Sequence, residues 1–235
     1  MNTKTPLDKY LSSEYVENNP SWDMEDSPWK AARISKLIQE NAIPRSKICE
    51  VGCGAGGILR ELQKLYPASQ LSGYDIAPAA ARFWSNPGPN LQLEVGDFVQ
   101  MNSSGYDILL SLDVLEHVEN PFEFLRGIKR RAKYYIFHFP LDLSALSVLR
   151  ESPLLLSRNK VGHIHYFTKN LALALLKESG FTIIQANYSG AAFNSPQRSA
   201  KTMLASFPRR AAYFIHKDFG ARLLGGETLF VLASD

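Results

Sequence analysis

Apolar residues along this chain fall into two alternating rhythms. Short dense runs read as seven strands: KICEV (47–51), QLSGYD (70–75), LQLEVGDF (91–98), YDILLSLDV (106–114), KYYIFHFP (133–140), FTIIQANY (181–188) and GETLFVLAS (226–234). Between them the apolar positions take helical spacing. Trp29, Ile34, Leu37 and Ile38 share one face, and Ile58, Leu59, Leu62, Leu65 and Tyr66 share another. Ser27 is the expected cap of the first of these helices, with Pro28 at its first position. APAAARFW (77–84) reads as a further helix. Asn120-Pro121-Phe122-Glu123 is a helix start with a cap, a proline and a first-turn acid, and Thr168 opens a helix that Gly180 ends.

Strands alternating with helices predict an α/β fold with a doubly wound, mostly parallel sheet. YDILLSLDV is an almost unbroken apolar run, as expected of a strand buried on both faces. Two segments break the alternation, at about 140–166 and 189–224. They are expected to be insertions that cap a substrate pocket on a domain spanning 45–235. Residues 1–44 form a separate N-terminal cap region.

The bulk numbers narrow the function without naming it. With 26 basic and 23 acidic residues among 235, the net charge of +3 is too weak to argue for nucleic acid or a membrane surface. The N-terminus lacks an apolar core of the signal-peptide kind, and no apolar run approaches the ~20 residues of a membrane span. A cytoplasmic protein is the expectation. Two cysteines, Cys49 and Cys53, are expected as reduced thiols and are too few to ligate an iron–sulfur cluster.

The chemistry centres on KICEVGCGAGG (47–57). Its glycines satisfy G-x-G-x-x-G, the dinucleotide pattern, and equally G-x-G-x-G, a nucleoside-binding loop. The loop alone leaves NAD and S-adenosylmethionine both open. Asp75 ends the second strand, where an acid can accept both ribose hydroxyls in either case. Glu50 is an acid inside a buried strand, which is costly unless it is hydrogen-bonded. Asp97 and Phe98 end the third strand, where they could bond an adenine amino group and cover its ring. The fourth strand runs into SLDVLEHVENP, with three titratable groups in one loop.

Taken together, ICEVGCGAGG, YDIAP, EVGDF and LLSLDVLEHVENP resemble the successive motifs of class I S-adenosylmethionine-dependent methyltransferases. The similarity is greatest to the ubiquinone-biosynthesis-like small-molecule group, and GHIHYFTKNLALALLKESGF (162–181) extends it. The resemblance implies a Rossmann-like, seven-stranded sheet with the last strand antiparallel beside the sixth. It implies S-adenosylmethionine as donor, S-adenosylhomocysteine as product and a small-molecule acceptor, methylated at oxygen. Glu50, Gly52, Cys53 and Gly54 would shape the methionine and ribose pocket. Asp75 would hold the ribose and Ile76 would lie against adenine. Asp97 and Phe98 would recognise adenine, and Leu112 would line the methionine side.

Methyl transfer leaves a faint catalytic signature, because the sulfonium is already activated and the protein mainly aligns and shields. A base is needed only where the acceptor must lose a proton. Of five histidines, His117 and His163 are the candidate bases, each weighed against a hydrogen-bonded structural role. A structural role is the stronger expectation for His138 and His216. Asp113-x-x-Glu116-His117 is similar to a Glu-x-x-Glu-His metal cluster of some methyltransferases, but its first residue is Asp. Its distal ligands would have to come from elsewhere, with His163 or His165 as candidates, and no metal is assigned. Asn-Pro-Pro-Tyr is missing after the fourth strand, which disfavours methylation of a flipped base. RGIKRRAK (126–133) suits a helix end better than an RNA patch. Arg209 and Arg210 are candidates to meet an acidic acceptor. An NAD(P)-dependent oxidoreductase and a non-catalytic nucleoside-binding protein remain the alternatives.

Overall fold

The computed structural model describes residues 5–12, 14–101, 104–190 and 212–235. Its seven strands are β1 (Lys47–Val51), β2 (Gln70–Asp75), β3 (Leu91–Val95), β4 (Tyr106–Leu112), β5 (Ala132–Leu141), β6 (Thr182–Tyr188) and β7 (Glu227–Ser234). They form one sheet in the order β3-β2-β1-β4-β5-β7-β6. The pairs from β3 to β5 are parallel, and β7 runs antiparallel to both β5 and β6. The expected fold class is therefore observed. A wholly parallel dinucleotide sheet would have no such reversed strand.

Alternate residues of each central strand feed two apolar layers. Leu109, Tyr135, Phe137, Phe139 and Val231 pack on one face with Leu125, Leu176 and Phe181. Ile108, Leu110, Ile136 and Leu232 pack on the other with Ile34, Ile38, Leu59 and Leu62. The first layer is covered by α5 (Pro121–Ile128) and α8 (Lys169–Glu178), the second by α3 (Ser27–Glu40) and α4 (Gly57–Leu65).

Several local signals hold. The Asn120 side chain accepts from the Glu123 amide at 3.1 Å, Thr168 caps α8, and Gly180 ends it at φ +85°. Others shift. Helix α3 starts at Ser27 itself, because a 3-10 turn over Met24–Asp26 runs straight into it. Residues Pro78–Phe83 form a 3-10 helix, short and held between β2 and β3. Leu65 is half exposed, so the buried stripe of α4 is narrower than its sequence implies.

Ahead of the sheet lie α1 (Asp8–Leu11) and α2 (Glu14–Asn18). After β5 come α6 (Ala145–Arg150) and α7 (Ser152–Lys160), within the expected first insertion. Helix α7 buries none of its residues, and Leu149 before it is 84% exposed. Most of the second expected insertion, including Arg209 and Arg210, lies outside the described residues. Among the described residues no helix is long and apolar enough to cross a membrane.

The stacked aromatic layer gives a direct test. Phe137 is fully buried against Tyr135, Phe139 and Phe181. Phe137→Ala is expected to destabilise the fold by about 3–5 kcal/mol. A urea unfolding midpoint that fell correspondingly, at unchanged slope, would confirm that layer as core.

Candidate active site

The strand order reverses between β1 and β4, so the loops leaving their carboxyl ends diverge and open a crevice. A cavity of about 780 Å³ lies there. Its wall includes Gly52, Asp75, Ile76, Asp97 and Phe98 on one side and Asp113, Val114 and His117 on the other. Tyr10, Tyr15 and Trp22 of the N-terminal segment complete it. That size suits a ligand of nucleoside dimensions.

The glycine loop is shaped by what surrounds it. Gly52 has φ +80°, and a Cβ there would stand 2.4 Å from Val114 Cγ2. Gly54 lies under the Trp22 indole, where a Cβ would stand 2.6 Å from Nε1. Asp75 holds the loop from below: Oδ2 accepts the Gly54 amide at 2.7 Å and Oδ1 accepts the Ala77 amide at 2.8 Å. Burial raises the Asp75 pKa above the ordinary carboxylate range, and those two amides oppose the rise. Each oxygen keeps a further lone pair for a ligand hydroxyl. Glu50 sits deeper, fully buried, with Oε2 lacking a hydrogen-bond partner. Burial pushes its pKa well up, against the pull of the Lys30 charge.

A second network ties the cap to the β4 exit. Lys30 of α3 donates to Asp113 Oδ2 at 2.7 Å. Asp113 Oδ1 lies 2.7 Å from His138 Nδ1, and His138 Nε2 lies 2.7 Å from Thr228 Oγ1. Burial disfavours the Asp113 charge, yet His138 and Lys30 together hold its pKa far below normal. Asp113 adopts φ +53°, an uncommon backbone for a non-glycine residue, and its amide bonds the His138 carbonyl at 3.1 Å. His138 is thus satisfied at both ring nitrogens, in keeping with a structural role.

Beside it, residues from four chain segments meet. The Glu116 carbonyl accepts the amides of Ile164 and His165 at 2.8 and 3.1 Å, which docks the 162–165 segment onto the β4 loop. His163 Nδ1 then reaches Asp142 Oδ2 at 2.5 Å. His117 Nδ1 lies 2.7 Å from the Tyr10 hydroxyl and 3.2 Å from the Gly162 carbonyl. The two imidazoles meet edge to face, with centroids 4.9 Å apart. Burial, then the neighbouring His163, lowers the His117 pKa to about 4. Burial and the Asp113 charge push Glu116 well up. His165 turns away and bonds the Val118 carbonyl at 2.9 Å, while His216 caps the helix Lys217–Leu224.

Of the residues expected at a cofactor site, Gly52, Asp75, Ile76, Asp97 and Phe98 reach the cavity wall. Phe98 does so from within the core, its ring packed by Tyr74, Tyr106 and Arg131. Glu50, Cys53 and Leu112 are buried behind the wall. The candidate bases His117 and His163 are brought together. Tyr10 and Asp142 are not singled out by the sequence, because each acts through a fold contact and belongs to no local motif. A further cavity of about 500 Å³, lined by Arg33, Lys36, Lys169, Lys217 and Asp218 among others, lies against β6 at the sheet edge, apart from the β1–β4 crevice. Lys169 and Asp218 there are paired with each other at 2.9 Å.

This geometry agrees with the relatives. Residues 28–186 match a family described as Methyltransferase domain, and the chain belongs to that family, the class I S-adenosylmethionine-dependent methyltransferases, whose donor is S-adenosylmethionine. A ubiquinone biosynthesis O-methyltransferase of Maricaulis maris is 28% identical over 104 residues, which is 41% of this chain and 40% of that protein. A carboxy-S-adenosyl-L-methionine synthase of Campylobacter fetus is 29% identical over 103 residues, 42% of this chain and 41% of that one. This chain thus spans less than half the length of these two curated relatives. The fold is shared with magnesium protoporphyrin IX methyltransferase from Synechocystis, at TM-score 0.56 and 15% identity, covering 100% of this chain and 89% of that one.

The Lys30–Asp113 pair joins the cap helix to the site. Lys30→Met is expected to destabilise the protein by about 2–3 kcal/mol, less than a fully buried pair because the Asp113 side chain keeps 29% of its surface exposed. Chemical unfolding monitored by circular dichroism measures this. An unchanged midpoint would show that the pair does not hold the cap.

Proposed function

We propose that this protein transfers the methyl group of S-adenosylmethionine to an oxygen of a small-molecule acceptor. The observation that carries the reading is one cavity bounded by the glycine loop, Asp75 and Asp97 at one end and by His117 at the other. The donor's ribose hydroxyls would rest on Asp75, its adenine between Ile76 and Asp97-Phe98, and its methionine along Gly52 and Gly54. Glu50, Cys53 and Leu112 would support that pocket from behind. The reversed β7 and the family membership count against the dinucleotide alternative. The built site beside the cofactor cleft counts against a purely binding role.

In this reading the acceptor oxygen attacks the methyl carbon, the carbon–sulfur bond breaks, and its electron pair stays on sulfur as S-adenosylhomocysteine. An alcohol or phenol must lose its proton on the way. His117 and His163 carry the acceptor-side chemistry and would deal with that proton. The oxygen assignment is supported by what lines this end, the His117 imidazole and the Asp113 carboxylate, which serve an acceptor bearing a proton. Residues 1–44 act as a cap that closes the cleft through Tyr10, Tyr15 and Trp22. The segment 140–166 would cover the acceptor, and its exposed Val148, Leu149, Leu155 and Leu156 suit an apolar one.

Isothermal calorimetry with S-adenosylhomocysteine tests this. The wild-type chain is expected to bind it, and Asp75→Ala to weaken binding about 10- to 100-fold, the worth of hydroxyl bonds to a charged carboxylate. Absence of binding by the wild type, or equal binding by Asp75→Ala, would overturn the assignment.

A further inference from the structure

Residues 96–101, which leave β3 along the cavity wall, form neither helix nor strand. Such a turn keeps one position only where its backbone groups find fixed partners. Its amides are satisfied close by. The Gly96 amide donates to the Asp75 carbonyl at 2.8 Å, and Asp97 Oδ1 accepts the Val99 amide at 2.9 Å. The Gln100 and Met101 amides donate to the Asp97 and Phe98 carbonyls at 3.0 and 3.1 Å. Three of its carbonyls are gathered by a single side chain from behind. Arg131 Nη1 donates to the Phe98 and Met101 carbonyls, each at 2.6 Å, and Nη2 donates to the Val99 carbonyl at 2.7 Å. The same guanidinium lies 4.9 Å from the centre of the buried Phe98 ring.

Arg131 is itself anchored. Its carbonyl accepts the amides of Gly105 and Tyr106 at 3.0 and 3.1 Å, and its amide donates to the Tyr135 hydroxyl at 3.2 Å. It stands three residues beyond the end of α5 and directly before β5, so its charge serves the turn and not the helix end. Bonds from a charged donor are roughly twice as strong as neutral ones. A planar guanidinium fork holds several carbonyls in one geometry, which a point-like ammonium does not reproduce. The effect is felt on the opposite side of the turn. Gly96, Asp97, Phe98, Val99 and Gln100 all line the cavity. With Oδ1 held by the Val99 amide, Asp97 presents Oδ2 to a ligand donor.

We infer that Arg131 is a positioning residue that sets the cleft's specificity for adenine, by fixing the 96–101 turn so that the Asp97 carboxylate accepts the exocyclic amino group of the base. Arg131 touches no ligand; it acts through the carbonyls it holds. The inference rests on the methyl-donor reading of the β1–β4 crevice and adds the residue that makes the base selective. A purine without the amino group would leave the carboxylate unpaired, and a site built to bond a donor rejects the analogue that lacks it.

Isothermal calorimetry on the full chain compares S-adenosylhomocysteine with its 6-deamino analogue, in which hydrogen replaces the amino group. The wild type is expected to prefer S-adenosylhomocysteine by about tenfold or more. Arg131→Met, which removes the fork, is expected to bring that ratio to within about threefold of unity, and Arg131→Lys, which keeps the charge, to fall between. A merely structural role would weaken both ligands together and leave the ratio where it was. Circular dichroism reports folding, and Arg131→Lys decides the matter if Arg131→Met does not fold. The wild-type ratio kept by folded Arg131→Met, or by Arg131→Lys where the methionine variant does not fold, would overturn the inference. A wild type that binds neither ligand would sink the methyl-donor reading itself. A wild type that binds both equally would leave that reading standing and remove the role of Asp97, and that of Arg131 with it.

Discussion

The parallel pairing of β1 with β4, Ile48 beside Ile108 and Glu50 beside Leu110, is the constraint on which the rest of this molecule depends. It brings together two strands far apart in sequence and sends their outgoing loops to opposite sides. One loop becomes the glycine turn, held to β2 by the Asp75 carboxylate. The other becomes the Asp113–His117 turn. The crevice between them is the place where an open α/β sheet binds its ligand. Burial of both strands on both faces by two apolar layers fixes the register, since a slip of one residue would turn every apolar side chain to the wrong face.

The second loop organises the residues on the far side of the crevice. Asp113 takes a left-handed backbone, which aims its carboxylate at Lys30 on one side and His138 on the other. Three residues later, Glu116 uses its backbone carbonyl to seat the 162–165 segment while its side chain stays buried and unbonded. That seating carries His163 to His117. The N-terminal segment closes the group through Tyr10. Residues 10, 116, 117, 142 and 163 thus act together only because four separate segments meet at the end of one strand.

The fold was legible because its signals are local and repeated. Unbroken apolar runs marked strands buried on both faces, and Asn120, Thr168 and Gly180 marked helix ends. Helix starts preceded by irregular turns were not legible, as at Ser27, because the preceding 3-10 turn depends on contacts of the cap. The cofactor side was half legible. Gly52 and Asp75 lie in short motifs whose spacing carries their geometry. The acceptor side was legible as residue types but not as an arrangement. The Glu116-His117 pair is visible in sequence, whereas its closure by His163, Asp142 and Tyr10 depends on long-range hydrogen bonds, the one from Tyr10 to His117 spanning 107 residues. His138 illustrates the converse: its neighbours Asp113 and Thr228 make it a fixed link between strand ends.

The β1–β4 crevice is the proposed cleft of the methyl donor. A crystal structure of the protein grown with S-adenosylhomocysteine tests it most directly. The expected complex has the ribose hydroxyls on Asp75, the adenine beside Ile76 and Asp97, and the sulfur directed toward the His117 side. A nucleoside bound elsewhere, or a crevice left empty at saturating ligand, would overturn that placement.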